Sequence, residues 1–318
     1  MNGRVLVTGG AGFIGSHIAE AYLADGWEVE IIDDLSRGKE RNLPAGACFV
    51  RADVRSNDAR ERIAKGRFDV VNIQAAQIDV RHSVDDPAFD AGINILGLIN
   101  LLEGAAAGGV RRVVFASSGG VLYGEADTVP TPETAPKMPV SPYGVSKLSG
   151  EHYLRTLAAL RGFDAVAMRY ANVFGPRQDP KSEAGVVSIF VSRLLAGQPL
   201  TIFGDGTQTR DYVFVRDVAR ANLLASTAPL PPPASHDDIG FNVATGTELS
   251  VVDLAGAVGR MLGVTPEIAF AEPRAGELSR SSLDTSKARR VLGWAPQHAF
   301  DAGLTQLIDW YRQEEMNG

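Results

Sequence analysis

Cysteine is all but missing from this chain: Cys48 stands alone among 318 residues. One thiol excludes an intrachain disulfide, and its GACFV setting reads as an apolar core position rather than a nucleophile. Histidine is scarce as well. His17, His82, His152, His236 and His298 include no pair at metal-ligand spacing, so surface or capping roles are expected, and no metal site. An excess of positive charge is also absent. The net charge of −7 removes the electrostatic basis for gripping DNA or RNA, although a few local arginines can still hold a small anion. No apolar run approaches the length of a membrane span, and the residues after Met1 lack the charged, apolar and cleavage regions of a signal peptide. These absences together imply a protein of the reducing cytoplasm, with neither nucleic acid nor membrane as partner. No repeat or low-complexity tract points to a solenoid or a tail.

What is present is an ordinary folded composition, 45% apolar and 22% charged. At this length one large core with an appended lobe is expected. The first half alternates β-branched runs (RVLVTG, EVEIIDD, DVVNIQAA, RRVVFASS, DAVAMRYANV) with longer amphipathic stretches. That rhythm predicts an α/β fold with a doubly wound parallel sheet of Rossmann type. After Val173 the regularity breaks into a polar loop, FGPRQDPKSEAG, followed by LTIFGDGTQTRDYVFV, which reads as strand, Gly-rich turn, strand. VRDVARANLLAST and FNVATG read as one more helix and strand returning to the sheet, with the surface loop PLPPPASHDD between them. The expected organisation is a Rossmann domain over 1–175 joined by 212–246, and a smaller C-terminal α/β substrate lobe built from 176–211 and 247–318.

The stretch TGGAGFIG, from Thr8 to Gly15, lies between the first strand and a helix whose Ile14, Ile18, Tyr22 and Leu23 share a face and which Gly26 stops. There Gly9, Gly12 and Gly15 are placed to turn the chain, admit a pyrophosphate to the backbone and pack the helix on the sheet. The helix N-terminus adds amide donors for a phosphate. The spacing is GxxGxxG rather than GxGxxG, and a purely structural turn would look the same without further support. Support lies about 20 residues on. EVEIIDD ends in Asp33 and Asp34, where a carboxylate accepts ribose hydroxyls and repels a 2′-phosphate, which favours NAD over NADP.

SPYGVSKLSGEHYL sets Tyr143 and Lys147 four residues apart on one face of a helix beginning near Pro142. An ordinary tyrosine titrates near 10, so service as a base near neutrality asks for about 4 kcal/mol of preferential phenolate stabilisation. The lysine cation and a positive nicotinamide both act in that direction. Upstream, VVFASS ends in Ser117 and Ser118 at the sheet edge where α/β proteins bind ligands, and a hydroxyl there can orient a substrate hydroxyl.

With these residues in view, the chain resembles the extended short-chain dehydrogenase/reductases and, within them, the UDP-glucose 4-epimerase family. The resemblance runs nearly end to end, through TGGAGFIG, IIDDLS, RADV, AAQ, NILG, FASSGG, SPYGVSK, RYANVFGPRQ, TIFGDG, TRDYVFV, FNVATG and PRAGE. It implies that Tyr143 is the base, that Lys147 tunes it and binds the nicotinamide ribose, and that Ser118 hydrogen-bonds the reacting oxygen, with Ser117 as the fallback. It further implies Phe13, Ile14, Asp33, Ser36, Asp53, Val54, Ala75, Ala76, Asn94 and Ala171 as NAD contacts. For the sugar nucleotide it implies Asn172, a Val186–Val187 turn, the strand Thr201 to Phe203 beside uracil, and Arg210, Tyr212 and Arg274 near the ribose and diphosphate. Two arginines suit a diphosphate, since each offers paired donors with a permanent charge. A UDP-sugar substrate, bound NAD and a homodimer of paired helices follow from the same resemblance.

Departures from the family pattern narrow the reading. The usual His-Leu-Ala-Ala turn is here Asn72-Ile73-Gln74-Ala75-Ala76, and a cofactor-contacting lysine of some members is replaced by Ile78. SSGGVLYG carries one residue more than the common form. Gly119 and Gly120 stand where a 4,6-dehydratase carries the carboxylates of water elimination, which counts against that reaction. A uronate-specific epimerase would want an extra cation, for which Arg81 or Arg177 is available. A net reductase is a further alternative, while an NAD-sensing non-enzyme would have no use for Tyr143 and Lys147 together. Ser281 aligns where a bulky residue narrows the sugar pocket in some epimerases, so an N-acetylated sugar is expected to fit.

Overall fold

The computed structural model describes residues 2–180, 185–274 and 276–317, so part of the polar loop and one position of PRAGE lie outside the described residues. The β-branched runs form β1 (Arg4–Thr8), β2 (Glu28–Asp33), β3 (Cys48–Arg51), β4 (Val70–Ile73), β5 (Arg112–Ser118) and β6 (Asp164–Tyr170). Short strands follow: β7 (Asn172–Phe174), β8 (Leu200–Phe203), β9 (Thr209–Arg210), β10 (Tyr212–Phe214), β11 (Gly240–Val243), β12 (Leu249–Ser250) and β13 (Ile268–Ala271). Seven of these strands make one sheet in the order β11-β6-β5-β4-β1-β2-β3, with every neighbouring pair parallel. The order reverses between β1 and β4, the crevice where such sheets take their ligands.

Alternation along each strand covers both faces of the sheet. Val5 and Val7 of β1 pack on α1 (Phe13–Ala24) through Ile18 and Tyr22, whereas Leu6 joins Ile63 of α2 (Asn57–Lys65) on the other face. Further along the chain come α3 (Val80–Asp85), α4 (Pro87–Ala91), a π-helical turn at Gly92–Gly97, α5 (Leu98–Ala107), α6 (Gly119–Leu122) and α7 (Pro142–Arg161). Ser141 caps α7 by accepting from the Gly144 amide, and Pro142 occupies the first turn, where its missing N–H costs nothing. The second half adds α8 (Val186–Leu195), α9 (Val215–Thr227), α10 (Val251–Leu262), α11 (Ser286–Leu292) and α12 (Phe300–Asn317). FNVATG does return to the main sheet, as β11 beside β6. A separate apolar cluster gathers Phe190 and Val191 of α8, Leu254 of α10, and Leu304 and Leu307 of α12 around β8 and β10.

Several local expectations are corrected. Cys48 is exposed, because β3 is the edge strand and packs against one neighbour only. His17 is buried with its Nε2 3.0 Å from the Pro176 carbonyl oxygen, so it is not a surface residue, and the half-buried His236 lies 2.9 Å from the buried Glu151. Pro87–Ala107 is a continuous helical run of 21 residues, long and apolar enough to cross a bilayer by composition. Its Leu98, Leu101, Leu102 and Ala105 are buried in the core, which makes it a core helix against the sheet.

Candidate active site

The glycine loop is a cradle that side chains would fill. Gly9 has φ +70°, and a Cβ there would stand 2.6 Å from the Ala75 amide nitrogen. A Cβ on Gly15 would fall on the Gly9 carbonyl, and one on Gly12 would lie 3.1 Å from the same oxygen. No side chain caps the N-terminus of α1, so amides of its first turn, from Phe13 and Ile14 onward, face the crevice available to an anion. Substituting Gly15 with Ala is expected to lower the NAD carried by the purified protein at least about tenfold, because the loop must open to admit the methyl. Quantifying nucleotide released on heat denaturation checks this, and parental NAD content in Gly15→Ala would contradict it.

Asp33 and Asp34, equivalent in the sequence, part company here. Asp33 is buried; its Oδ2 accepts from the Ala11 amide at 3.0 Å and its Oδ1 from the Leu35 amide at 2.8 Å. Each oxygen keeps a lone pair for a ribose hydroxyl. Burial pushes this carboxyl above its ordinary range against those two amide bonds. Asp34 is exposed and instead accepts from the amide and hydroxyl of Ser36, which occupies both residues in a local turn. Asp53, close by, grips the Arg55 guanidinium, and Val54 is buried with its carbonyl taken by Asn100.

Ala75 and Ala76 line the loop after β4. The Ala75 amide rests on Thr8 Oγ1, while Gln74 turns away from the crevice into a buried polar network with Asn72, Tyr170 and Asn222. Asn94 holds this loop rather than reaching freely into the site: its Nδ2 donates to Gln77 O and Asp90 Oδ1, and its Oδ1 accepts from the Gln77 amide. Ala171 sits between β6 and β7, its amide bonded to Val243 O at 3.0 Å.

The residues expected to carry the reaction come from three elements that meet at the C-terminal edge of the sheet. Ser117 is buried and donates to Glu151 Oε1 at 2.6 Å, which turns it away from the crevice. Ser118, the last residue of β5, faces the opposite way. A Cβ on Gly120 would lie 4.0 Å from Ser118 Oγ and 3.9 Å from Asn172 Oδ1, so these two side chains converge over that glycine. Lys147 is buried, donates to the Ala116 carbonyl at 2.9 Å, and lies 5.7 Å from the centre of the Tyr143 ring. Burial brings its ammonium down to about 8, opposed by the charge of Asp90. Burial also pushes the Tyr143 phenol above its ordinary value, and Asp90 adds to that. Both effects disfavour the phenolate, and positive charge brought close to Tyr143 acts against them.

The residues assigned to a sugar nucleotide are spread along the other wall. Val186 and Val187 form the first turn of α8 rather than a free turn, and Val187 is buried in the core. Arg274 stacks 3.8 Å over the Phe203 ring, and both line a cleft with Gln208 and Arg280. Thr201 is exposed on β8, and Ser281 is partly exposed. Arg210 donates to Thr209 O and Leu278 O and pairs with Glu277 at 3.2 Å, which fixes its head at the cleft rim. The Tyr212 hydroxyl is buried without a hydrogen-bond partner among the described residues, an orphan that a ligand oxygen would satisfy.

Comparison with known proteins identifies the family. The model of the NAD dependent epimerase/dehydratase family matches residues 5–240. The chain belongs to that family. It is 45% identical to a UDP-glucose 4-epimerase of Mycolicibacterium smegmatis, across 98% of this chain and 99% of the relative. Among solved structures it resembles the Thermotoga maritima UDP-glucose 4-epimerase with UDP-glucose, at TM-score 0.93, 42% identity and 98% and 99% coverage. The Thermus thermophilus UDP-glucose 4-epimerase complex with NAD matches at TM-score 0.90, 44% identity and 97% and 99% coverage.

The cofactor of this epimerase-family chain is NAD, and the residues present fit it: a glycine cradle closed to side chains, uncapped amides at α1, and a buried carboxylate beside them. Sequence reading missed the groups that hold these parts in place. Asn42 donates to the Ala11 carbonyl at 3.0 Å from 31 residues away, with no local signal to mark it. Arg169 and Glu151 form a fully buried ion pair behind Ser117, and a charged residue inside the apolar strand DAVAMRY was the available clue.

Proposed function

We propose that this protein interconverts UDP-glucose and UDP-galactose by NAD-dependent epimerisation at C4, through a transient 4-keto sugar. The observation that carries the reading is the convergence of the glycine cradle, Asp33 and the Ser118–Tyr143–Lys147 group at one sheet edge. Residues 1–175 with 212–246 form the NAD-binding unit, and 176–211 with 247–318 the sugar-nucleotide lobe.

Bound NAD supplies the hydride acceptor and donor at C4. Tyr143 takes the proton of the sugar 4-hydroxyl and later returns it, while the Lys147 cation favours the phenolate. Ser118 and Asn172 hold the C4 oxygen, since both side chains border the same open position above Gly120. Arg210 and Arg274 retain the diphosphate, and Phe203 with Thr201 borders the base. A firm hold on UDP with few fixed contacts to the hexose lets the 4-keto sugar turn its other face before reduction, which inverts C4.

Two observations separate this reading from its neighbours. Gly119 and Gly120 follow Ser118 directly and neither carries a carboxyl, so the acid and base of a dehydratase are missing there. Arg177, a candidate cation for a uronate, is committed to Ser16 and Glu20 of α1. The test is to incubate the purified protein, without added NAD, with UDP-glucose, UDP-GlcNAc and UDP-glucuronate and separate the products. UDP-galactose is the expected product; a requirement for added reductant, or a dehydrated product, would contradict the proposal.

The small Ser281 leaves space for an acetamido group, so UDP-GlcNAc is also accepted. Ser281→Tyr should lower the ratio of UDP-GlcNAc to UDP-glucose turnover at least about tenfold by filling that space. An unchanged ratio would count against it. The protein is a homodimer through the α7 side of the NAD-binding unit, where Val145, Tyr153 and Leu160 stand exposed within one helical face. A monomer mass in sedimentation equilibrium would refute this.

A further inference from the structure

The Tyr143–Lys147 pair is backed by a carboxylate to which the epimerase reaction assigns no role. Asp90 of α4 is completely buried. Its Oδ1 accepts from Gln77 Nε2 and Asn94 Nδ2, each at 2.9 Å, and its Oδ2 from Ser146 Oγ at 2.5 Å. These three partners are neutral donors, and they come from the loop after β4, the π-helical turn and α7. They satisfy the carboxylate oxygens and, among the described residues, leave its charge without a contact cation. Lys147 is buried too, bonded to a neutral carbonyl, and no carboxylate lies within ion-pair distance of it among the described residues. A buried anion and a buried cation, each solvated only by dipoles, compensate each other through space.

We propose that Asp90 is a positioning residue for catalysis: its fixed negative charge, held by Gln77, Asn94 and Ser146, keeps the Lys147 ammonium charged and in place beside Tyr143. The proposal rests on Tyr143 and Lys147 being the reacting pair of the epimerase. Most other charged groups on the elements around α7 pair elsewhere, and the half-buried Arg155 lies about two turns beyond Lys147 on α7. Arg112 of β5 pairs with Asp164 of β6, and Glu103 of α5 with Arg60. Arg169, His236 and Asp237 gather at Glu151 and Lys137, one turn beyond Lys147. On α3, the Asp79 cap accepts from the backbone of Arg81 and His82, whose ring meets Phe89, and Asp85 is exposed. On α7 itself His152 stacks on His236. Asp90 is the charged neighbour that acts on both Tyr143 and Lys147, raising each.

Asp90→Asn removes the charge and keeps the shape. Its carbonyl still accepts from Gln77 and Asn94, and the Ser146 hydroxyl can rotate to accept from the new amide. Losing the anion destabilises the ammonium, so in the NAD-loaded variant the alkaline limb of the kcat profile should move down by about one pH unit or more. The Lys147 titration, followed by NMR of lysine 13Cε-labelled protein and assigned by its loss in Lys147→Arg, should move with it, while NAD content stays at the parental level. A Lys147 titration left where the parent has it would overturn the proposal. Ser146→Ala trims one donor but leaves the charge, and should leave the alkaline limb in place. A limb displaced there as far as in Asp90→Asn would mean that contacts matter rather than charge, and would equally overturn it. Because the NMR titration needs no turnover, a parent that fails to epimerise contradicts the functional reading alone.

Discussion

Tyr143→Phe is expected to lower interconversion of UDP-glucose and UDP-galactose by at least about 10³-fold, within the range by which a positioned general base contributes, while NAD remains bound. The substitution deletes one oxygen. The Tyr143 backbone amide keeps its bond to Ser83 Oγ at 3.1 Å, and the N-terminus of α7 keeps its Ser141 cap. The cradle proposed for NAD is built from β1, α1 and Asp33, remote in sequence from α7. Activity should therefore vanish without loss of cofactor or fold. The check is paired measurement of turnover and of bound nucleotide in the same preparation. Turnover within about tenfold of the parent would remove Tyr143 from the proton transfer.

Arg169→Met is expected to cost about 3–5 kcal/mol of stability, because it strands a buried carboxylate. Arg169 donates from Nε and Nη2 to the two oxygens of Glu151, at 2.9 and 2.7 Å, and from Nη1 to Tyr123 and to the Glu133 carbonyl, each at 3.0 Å. Both partners are fully buried. Burial raises the Glu151 carboxyl, but bonds from His236, Arg169 and Ser117 outweigh it and hold the group down to about 2. A depressed folded-state value means stability that is present above the ordinary carboxylate range and is lost as pH falls toward about 2. The difference between parent and Arg169→Met should thus be largest near neutrality and shrink on acidification below about 4.5. Denaturant midpoints at several pH values measure both. A pH-independent gap would show that the lost packing, and not the ion pair, sets the cost.

These two sites differ in how far the sequence exposes them. Tyr143 and Lys147 lie four apart on one helix, and Gly9, Gly12 and Gly15 lie in one loop, so local spacing carries the chemistry. The alternation of Val5, Leu6 and Val7 likewise announces a strand covered on both faces. Ser117 and Ser118 are adjacent and identical, and only the position of Glu151 across the interior decides which one faces the ligand crevice. Asp33 and Asp34 are separated in the same way, by Ala11 on one side and Ser36 on the other. Cys48 looked apolar by its neighbours because sequence does not reveal that β3 is the last strand of the sheet. Asp90 and Arg169 were illegible for a related reason: their partners are brought together by tertiary contacts, and a lone charge in an apolar stretch states only that some partner exists.

The account stands on hydrogen leaving C4 of the sugar and returning to the same carbon from the opposite face. UDP-glucose deuterated at C4, given to the purified protein without added NAD in ordinary water, tests this directly. UDP-galactose carrying the deuterium at C4 is the predicted product. Exchange of that deuterium for solvent hydrogen during inversion would contradict it.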